Sequence, residues 1–209
     1  THSQSASEDR LRRRARQYID NRQMDAAHQT LEALLEQVPG DAHARMELAR
    51  VMLVRGQLRE SNRQLLRIVR TLPNDAPLLA QLAQRLYLNG ETLAARACLD
   101  HLEHAPDPPA EILAAQANLR WMLGEIAKAK ALMDRAVAMG AEGYEENYLH
   151  ALLCQFTGDI DGADRVLTEL LRRWPAYAAA AVVLANLRKQ TEQTQHLDLL
   201  REQSQRFPA

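Results

Sequence analysis

The sequence predicts an all-α protein, a solenoid of stacked helical hairpins, and three regularities carry that expectation. Alanine recurs at Ala15, Ala49, Ala83, Ala117, Ala151 and Ala185, at intervals of 34 residues. Glycine keeps the same step at Gly56, Gly90, Gly124 and Gly158, each seven residues after one of those alanines. Proline closes the register at Pro39, Pro73 and Pro175. A fixed period of roughly 20 to 50 residues marks supersecondary units stacked on their neighbours, each too small to bury its apolar face alone.

Numbered from 1 to 34, the units fall at Glu8–Asp41, Ala42–Asp75, Ala76–Pro109, Ala110–Gly143 and Tyr144–Tyr177, and residues 1–7 read as a disordered tail before them. The first helix of each unit carries the register alanine, with Leu48 and Met52 beside Ala49, and Leu79, Leu82 and Leu86 around Ala83. The second helix is marked by apolar pairs at helical spacing: Leu31 with Leu34, Leu65 with Ile68, Leu99 with Leu102, Met133 with Ala136, and Leu167 with Leu170. Gly at repeat position 15 suits the tight turn after the first helix, because it takes a positive φ without penalty. Pro at position 32 ends the second helix, since it lacks an N–H and clashes with the preceding turn. Asp41 and Asp75 are placed to cap the next helix, and Asp107 before Pro108 is expected to do so one register away. Ala27, Ser61, Ala95, Ala129 and Ala163, all at position 20, let the two helices of a hairpin approach closely. After Tyr177 the register persists through Ala185 but meets Glu192 and Leu197 where Gly and a small residue belong. Residues 178–209 therefore read as a degenerate sixth unit, with helices over Ala178–Gln190 and Gln195–Arg206 whose polar outer face would close the array.

With these residues in place, the chain over Glu8–Tyr177 resembles the tetratricopeptide repeat family. Tyr18, Met52, Leu86 and Cys154 stand where that family has a large residue at position 11, whereas Arg120 departs from the pattern there. Arg22 replaces the first turn glycine, and Asp107 and Ala141 replace proline at position 32. The resemblance implies a right-handed superhelix of five repeats plus a degenerate closing pair. It also implies a concave groove in which positions near 2, 5, 9 and 12 of the first helices face a bound segment. Those positions give Arg12, Arg16, Met46, Arg50, Leu53, Gln84, Tyr87, Asn118, Trp121, Tyr148, Leu152 and Gln155. The groove so drawn is basic at its N-terminal end and amphipathic and aromatic at the other, with Trp121 and Tyr148 as anchors. It suggests a peptide with acidic groups at one end and an apolar segment at the other. The Lys-Asn clamp by which some members grip a C-terminal carboxylate is not matched: Arg16 and Glu47 stand where Asn is required, and Pro77 and Gln81 where cations are.

Composition narrows the function further. A chain of 209 residues with 46% hydrophobic and 25% charged residues can bury a core, and aromatics at 4% leave that core to aliphatic side chains. A formal net charge of −1 supplies no field for a nucleic acid backbone or an anionic membrane. No apolar run approaches the roughly 20 residues of a membrane span, so the chain reads as soluble, and two thiols without a Cys-x-x-Cys arrangement suggest a reduced, cytoplasmic compartment, with export after removal of a signal peptide as the alternative. Cys98 and Cys154 read as two buried apolar residues rather than a redox pair. His101 and His104 lie beside Asp100 and Glu103, but this reads as a helix end, and His150 reads as a packing residue. With no phosphate loop, zinc-protease or serine-hydrolase motif, no catalytic, metal or cofactor residues are expected. The run Arg10, Arg12, Arg13, Arg14 and Arg16 reads as a solvated helix, with an acidic partner or anion as the alternative, and weak head-to-tail self-association with Glu142, Glu145 and Glu146 ranks below both. The functional expectation is a scaffold that binds a protein or peptide. The alternative is the substrate-recruiting module of a larger enzyme, because Leu187 to Thr191 with His196 and Leu197 resembles a connector preceding bacterial sulfotransferase domains.

Overall fold

In the computed structural model, residues 2–187 and 196–206 are described, with the side chains of residues 5–187 and 196–206. All twelve elements assigned among them are α-helices. The chain forms two compact units, Thr1–Pro106 and Asp107–Ala209. The first holds α1 (His2–Asp20), α2 (Met24–Gln37), α3 (Ala42–Val54), α4 (Leu58–Val69), α5 (Ala76–Leu88) and α6 (Thr92–Leu102). The second holds α7 (Ala110–Met122), α8 (Ile126–Ala138), α9 (Tyr144–Phe156), α10 (Ile160–Arg173), α11 (Ala178–Asn186) and α12 (Leu197–Arg206).

Small side chains set the spacing inside each hairpin. The register alanines Ala49, Ala83, Ala117 and Ala151 are buried, and so are their partners Ser61, Ala95, Ala129 and Ala163 on the second helices. Ser61 is tolerated there because its hydroxyl donates to the Ala49 carbonyl at 2.7 Å, leaving no buried donor unpaired. The apolar pairs on the second helices complete the packing. In the first unit Leu31 and Leu34 join Ala15, Ala27, Leu48 and Met52 in one cluster. In the second, Met133 and Ala136 pack with Leu113, Ala117 and Leu153, while Leu167 and Leu170 pack with Ala151, Cys154 and Leu184. Each fully buried leucine contributes about 1.5–3 kcal/mol.

The turn between the helices of each hairpin is the same in all five cases. The N–H of position 16 (Gln23, Gln57, Glu91, Glu125, Asp159) donates to the carbonyl of position 11 at 2.8–2.9 Å, which satisfies a helix-end acceptor. The bond requires a left-handed residue at position 15: φ is 77° at Gly56, 84° at Gly90 and 57° at Arg22. Arg22 thus keeps the turn that a glycine makes elsewhere, with backbone strain. Asp41 and Asp75 cap α3 and α5 by accepting from Ala44 N at 3.0 Å and Leu78 N at 2.9 Å.

Several expectations change. Asp107 does not cap α7; it adopts φ 41°, and the cap position falls to Pro109, which has no side-chain acceptor. Asp159 instead provides a cap not foreseen, accepting from Gly162 N at 2.9 Å. The expected tail over residues 1–7 is instead part of α1 from His2 onward. Arg120 is only 1% exposed, and its guanidinium lies 2.5 Å from the Glu125 carboxylate. A buried ion pair replaces the apolar residue of the other repeats. The expected closing pair is seen as α11 and α12, while residues 188–195, which hold most of the sulfotransferase-like connector, lie outside the described residues.

Candidate functional site

In the first unit the expected basic end of the groove is largely neutralised by the chain itself. Arg12 is ion-paired with Asp41, the residue that caps α3. Arg50 pairs with Glu47 one turn earlier on the same helix, at 2.7 Å. Arg16 and Gln84 are exposed, Tyr87 is half-buried, and Met46 is in the core at 3% exposure and cannot meet a ligand. The cavity at Leu72, Asn74, His101 and His104, about 290 Å³, contains none of these residues. Among the described residues no three His, Cys, Asp or Glu side chains converge as a metal site.

The second unit brings four of the expected residues together. Asn118 and Trp121 from α7 and Tyr148 and Leu152 from α9 line one cavity of about 450 Å³, floored by Ala114, Ala115, Met133 and Leu149. Gln155 stands on α9 outside it. The side chains share one wall because α7 and α9 are both first helices of hairpins, and repeat positions 5, 9 and 12 fall on one helical face. The small residues Ala114 and Ala115 leave the space that Trp121 and Tyr148 border.

Aromatic rings surround the cavity. Tyr148 meets Tyr177 edge-on with centroids 5.2 Å apart, Tyr144 lies 5.4 Å from Tyr177, and Trp121 packs edge-on against Phe156 at 5.0 Å. Edge-to-face contacts of this kind hold rings in fixed orientations and add about 0.5–1.5 kcal/mol each. Trp121 and Tyr148 also pack against the buried clusters of the unit, so each both supports the fold and lines the cavity.

Three carboxylates complete the lining: Glu111 at the start of α7, and Glu145 and Glu146 at the start of α9. Burial and then the neighbouring Tyr148, Glu145 and Tyr144 push the Tyr177 phenol above its ordinary pKa, so it stays a neutral hydroxyl. Glu111 and Glu145 occupy repeat position 2, one of the groove-facing positions, and were therefore legible as lining residues; Tyr177, at the junction before α11, was not. Glu142, the third member of the expected acidic run, is engaged by Arg173 at 3.0 Å.

Outside the cavity lining, His150 Nε2 lies 2.8 Å from Asp134, which also receives Lys130 at 2.7 Å. The His150 Nδ1 atom is buried without a hydrogen-bond partner. Burial works against the Asp134 carboxylate, but the bonds from Lys130 and His150 outweigh it and hold its pKa below the usual range. Cys98 and Cys154 are buried thiols, and burial pushes Cys98 up to about 12.

Residues 18–86 match the model of the tetratricopeptide repeat family. No curated protein matches the chain. Among solved structures, the chain is similar to a tetratricopeptide repeat protein from Parabacteroides merdae, at 18% identity and a TM-score of 0.68, over 87% of this chain and 72% of that one. It is similar to YrrB, described as a TPR protein with an unusual peptide-binding site, at 13% identity and a TM-score of 0.66 over 84% and 91% of the two chains. PilF of Pseudomonas aeruginosa is similar at 15% identity and a TM-score of 0.63 over 94% and 98%. No helix among the described residues is long and apolar enough to cross a membrane. Period, hairpin geometry and structural likeness agree, and the chain has the tetratricopeptide-repeat fold.

Proposed function

We propose that this chain is a protein-interaction scaffold that binds an extended segment of a partner protein on the α7–α9 face of its second unit. The observation that carries this reading is the cavity of about 450 Å³ in which Asn118, Trp121, Tyr148 and Leu152 converge. Ring-oriented aromatics give a segment large contact area at low entropic cost, and the exposed Asn118 amide can pair with its backbone. Burying an anchor side chain between Trp121 and Tyr148 would concentrate binding energy there, about 2 kcal/mol or more on truncation of either ring. The first unit, with Arg12 and Arg50 already paired, contributes less charge selectivity than its sequence suggests.

A photo-crosslinking residue at Asn118 tests this. The expected result is a discrete partner adduct that is lost in the Trp121→Ala, Tyr148→Ala double variant and does not form from Asp161 on α10. Equal adducts from both positions, or adducts unaffected by the double variant, would remove the face from consideration. The sulfotransferase alternative would place the same face in a larger polypeptide. The intact mass of the protein in its source cells separates the two, with 23.6 kDa expected for this chain alone.

A further inference from the structure

We infer that the α7–α9 cavity accepts a lysine or arginine side chain presented by the partner segment, held between the carboxylates of Glu111, Glu145 and Glu146 and the faces of Trp121 and Tyr148. This rests on the scaffold reading above and specifies its ligand. The sequence suggested acidic groups at the basic N-terminal end of the groove and an apolar segment at its aromatic end; a cationic side chain at that aromatic end departs from the second expectation.

The charge balance is the first support. No cationic side chain among the described residues pairs with Glu111, Glu145 or Glu146. Each lies in the first turn of its helix, where a carboxylate also favours the helix dipole, so their charge alone does not make a site. What distinguishes them is the cavity they share with two electron-rich rings. A cation entering it meets carboxylates at its edge and π-faces along its stem, which suits the long aliphatic stem and charged tip of Lys or Arg. An acidic segment would meet three like charges.

The same unit already displays this chemistry. The Arg173 guanidinium lies 4.6 Å above the Trp174 ring and 3.0 Å from the Glu142 carboxylate. Trp174 is in turn in edge contact with Tyr144, centroids 6.4 Å apart, and Tyr144 touches the Tyr177 ring that lines the cavity. The aromatic cluster therefore holds one arginine of its own at its outer side, and the cavity offers an equivalent acidic and aromatic setting that none of the chain's described cations fills. The volume, about 450 Å³, holds one such side chain with its flanking backbone.

The test uses the whole chain and four fluorescein-labelled nonapeptides of one alanine and leucine framework, with Lys, Arg, Gln or Glu at the central position. Anisotropy titrations at low salt should give Lys and Arg peptides binding at least tenfold tighter than Gln, and Glu weakest. The Glu111→Gln, Glu145→Gln, Glu146→Gln triple variant should bind the Lys peptide no better than the Gln peptide. Equal binding of all four peptides, abolished by Trp121→Ala with Tyr148→Ala, would overturn the charge inference and leave the scaffold reading standing. Retained Lys preference in the triple variant would overturn it too. Spermine binding as tightly as the Lys peptide would assign the cavity to a small cation instead. Peptides that all bind the double variant as well as the parent would overturn both readings.

Discussion

Arg22 and Gly90 occupy the same repeat position and the same backbone region, so exchanging their residue types should move stability in opposite directions. Arg22 has φ 57° and Gly90 φ 84°. In both turns the following N–H, from Gln23 or Glu91, closes a 2.8 Å bond to the preceding helix. A side chain in the left-handed region costs about 1–2 kcal/mol. Glycine gives back about 0.4–1 kcal/mol of that through its more disordered unfolded state. Arg22→Gly should therefore stabilise the first unit by about 0.5–1 kcal/mol, and Gly90→Ala should destabilise it by a similar amount. A Cβ added at Gly90 meets nothing within 4 Å, so the effect is backbone conformation without a clash. For a unit of this size the shift in Tm is about 3–6 °C, upward for Arg22→Gly and downward for Gly90→Ala. Urea and thermal unfolding followed by circular dichroism read both. A destabilised Arg22→Gly variant, or a neutral Gly90→Ala variant, would refute the assignment of a common strained turn.

Other expectations follow from the core and its charges. Ala95→Leu, at a fully buried hairpin contact, should cost about 1–3 kcal/mol by overpacking, whereas Ser61→Ala should cost about 1 kcal/mol or less because it removes donor and side-chain polarity together; chemical denaturation separates them. Glu125→Ala should cost about 2–4 kcal/mol by leaving the buried Arg120 charge undercompensated, and Arg120→Met combined with Glu125→Gln should recover most of it; a loss under 1 kcal/mol in Glu125→Ala would contradict the buried pair. Asp134 has a folded pKa below its ordinary value, so its contribution is present above about pH 4 and is lost as pH falls through the folded pKa; the stability difference between the parent and Asp134→Asn should shrink below that pH. Cys98 and Cys154 should resist Ellman's reagent at pH 8 in the native state and react on unfolding, and prompt native reaction at either would contradict their burial.

Most of the fold was legible because its determinants are local and repeated. Ala49, Ser61 and Leu65 recur in type every 34 residues, and a small residue facing a small residue admits one helix spacing. The turn glycines announce a positive φ directly. The misreadings lie where two signals compete. Asp107 carried a cap signal, but Pro108 and Pro109 fix the chain entering α7 and put the cap position at Pro109. Arg120 stood at an apolar position, and its burial depends on Glu125 across the turn, a pairing that the register alone does not display. For the site, helical periodicity placed Trp121 and Tyr148 on one face, but charge pairing depends on side-chain reach. Arg12 finds Asp41 from 29 residues away and Arg50 finds Glu47 within its helix, so two of the three groove arginines are engaged and only Arg16 stays exposed. Of the lining carboxylates, Glu111 and Glu145 sit at the groove-facing position 2 and Glu146 at position 3, and their convergence shows only in the cavity between α7 and α9.

Hydrogen–deuterium exchange of the chain with its crosslinked partner tests the docking face most directly. Protection gained along Ala110–Met122 and Tyr144–Phe156, with Ile126–Ala138 and Ile160–Arg173 unchanged, is the predicted result. Protection confined to those second helices, or to the first unit, would contradict the account.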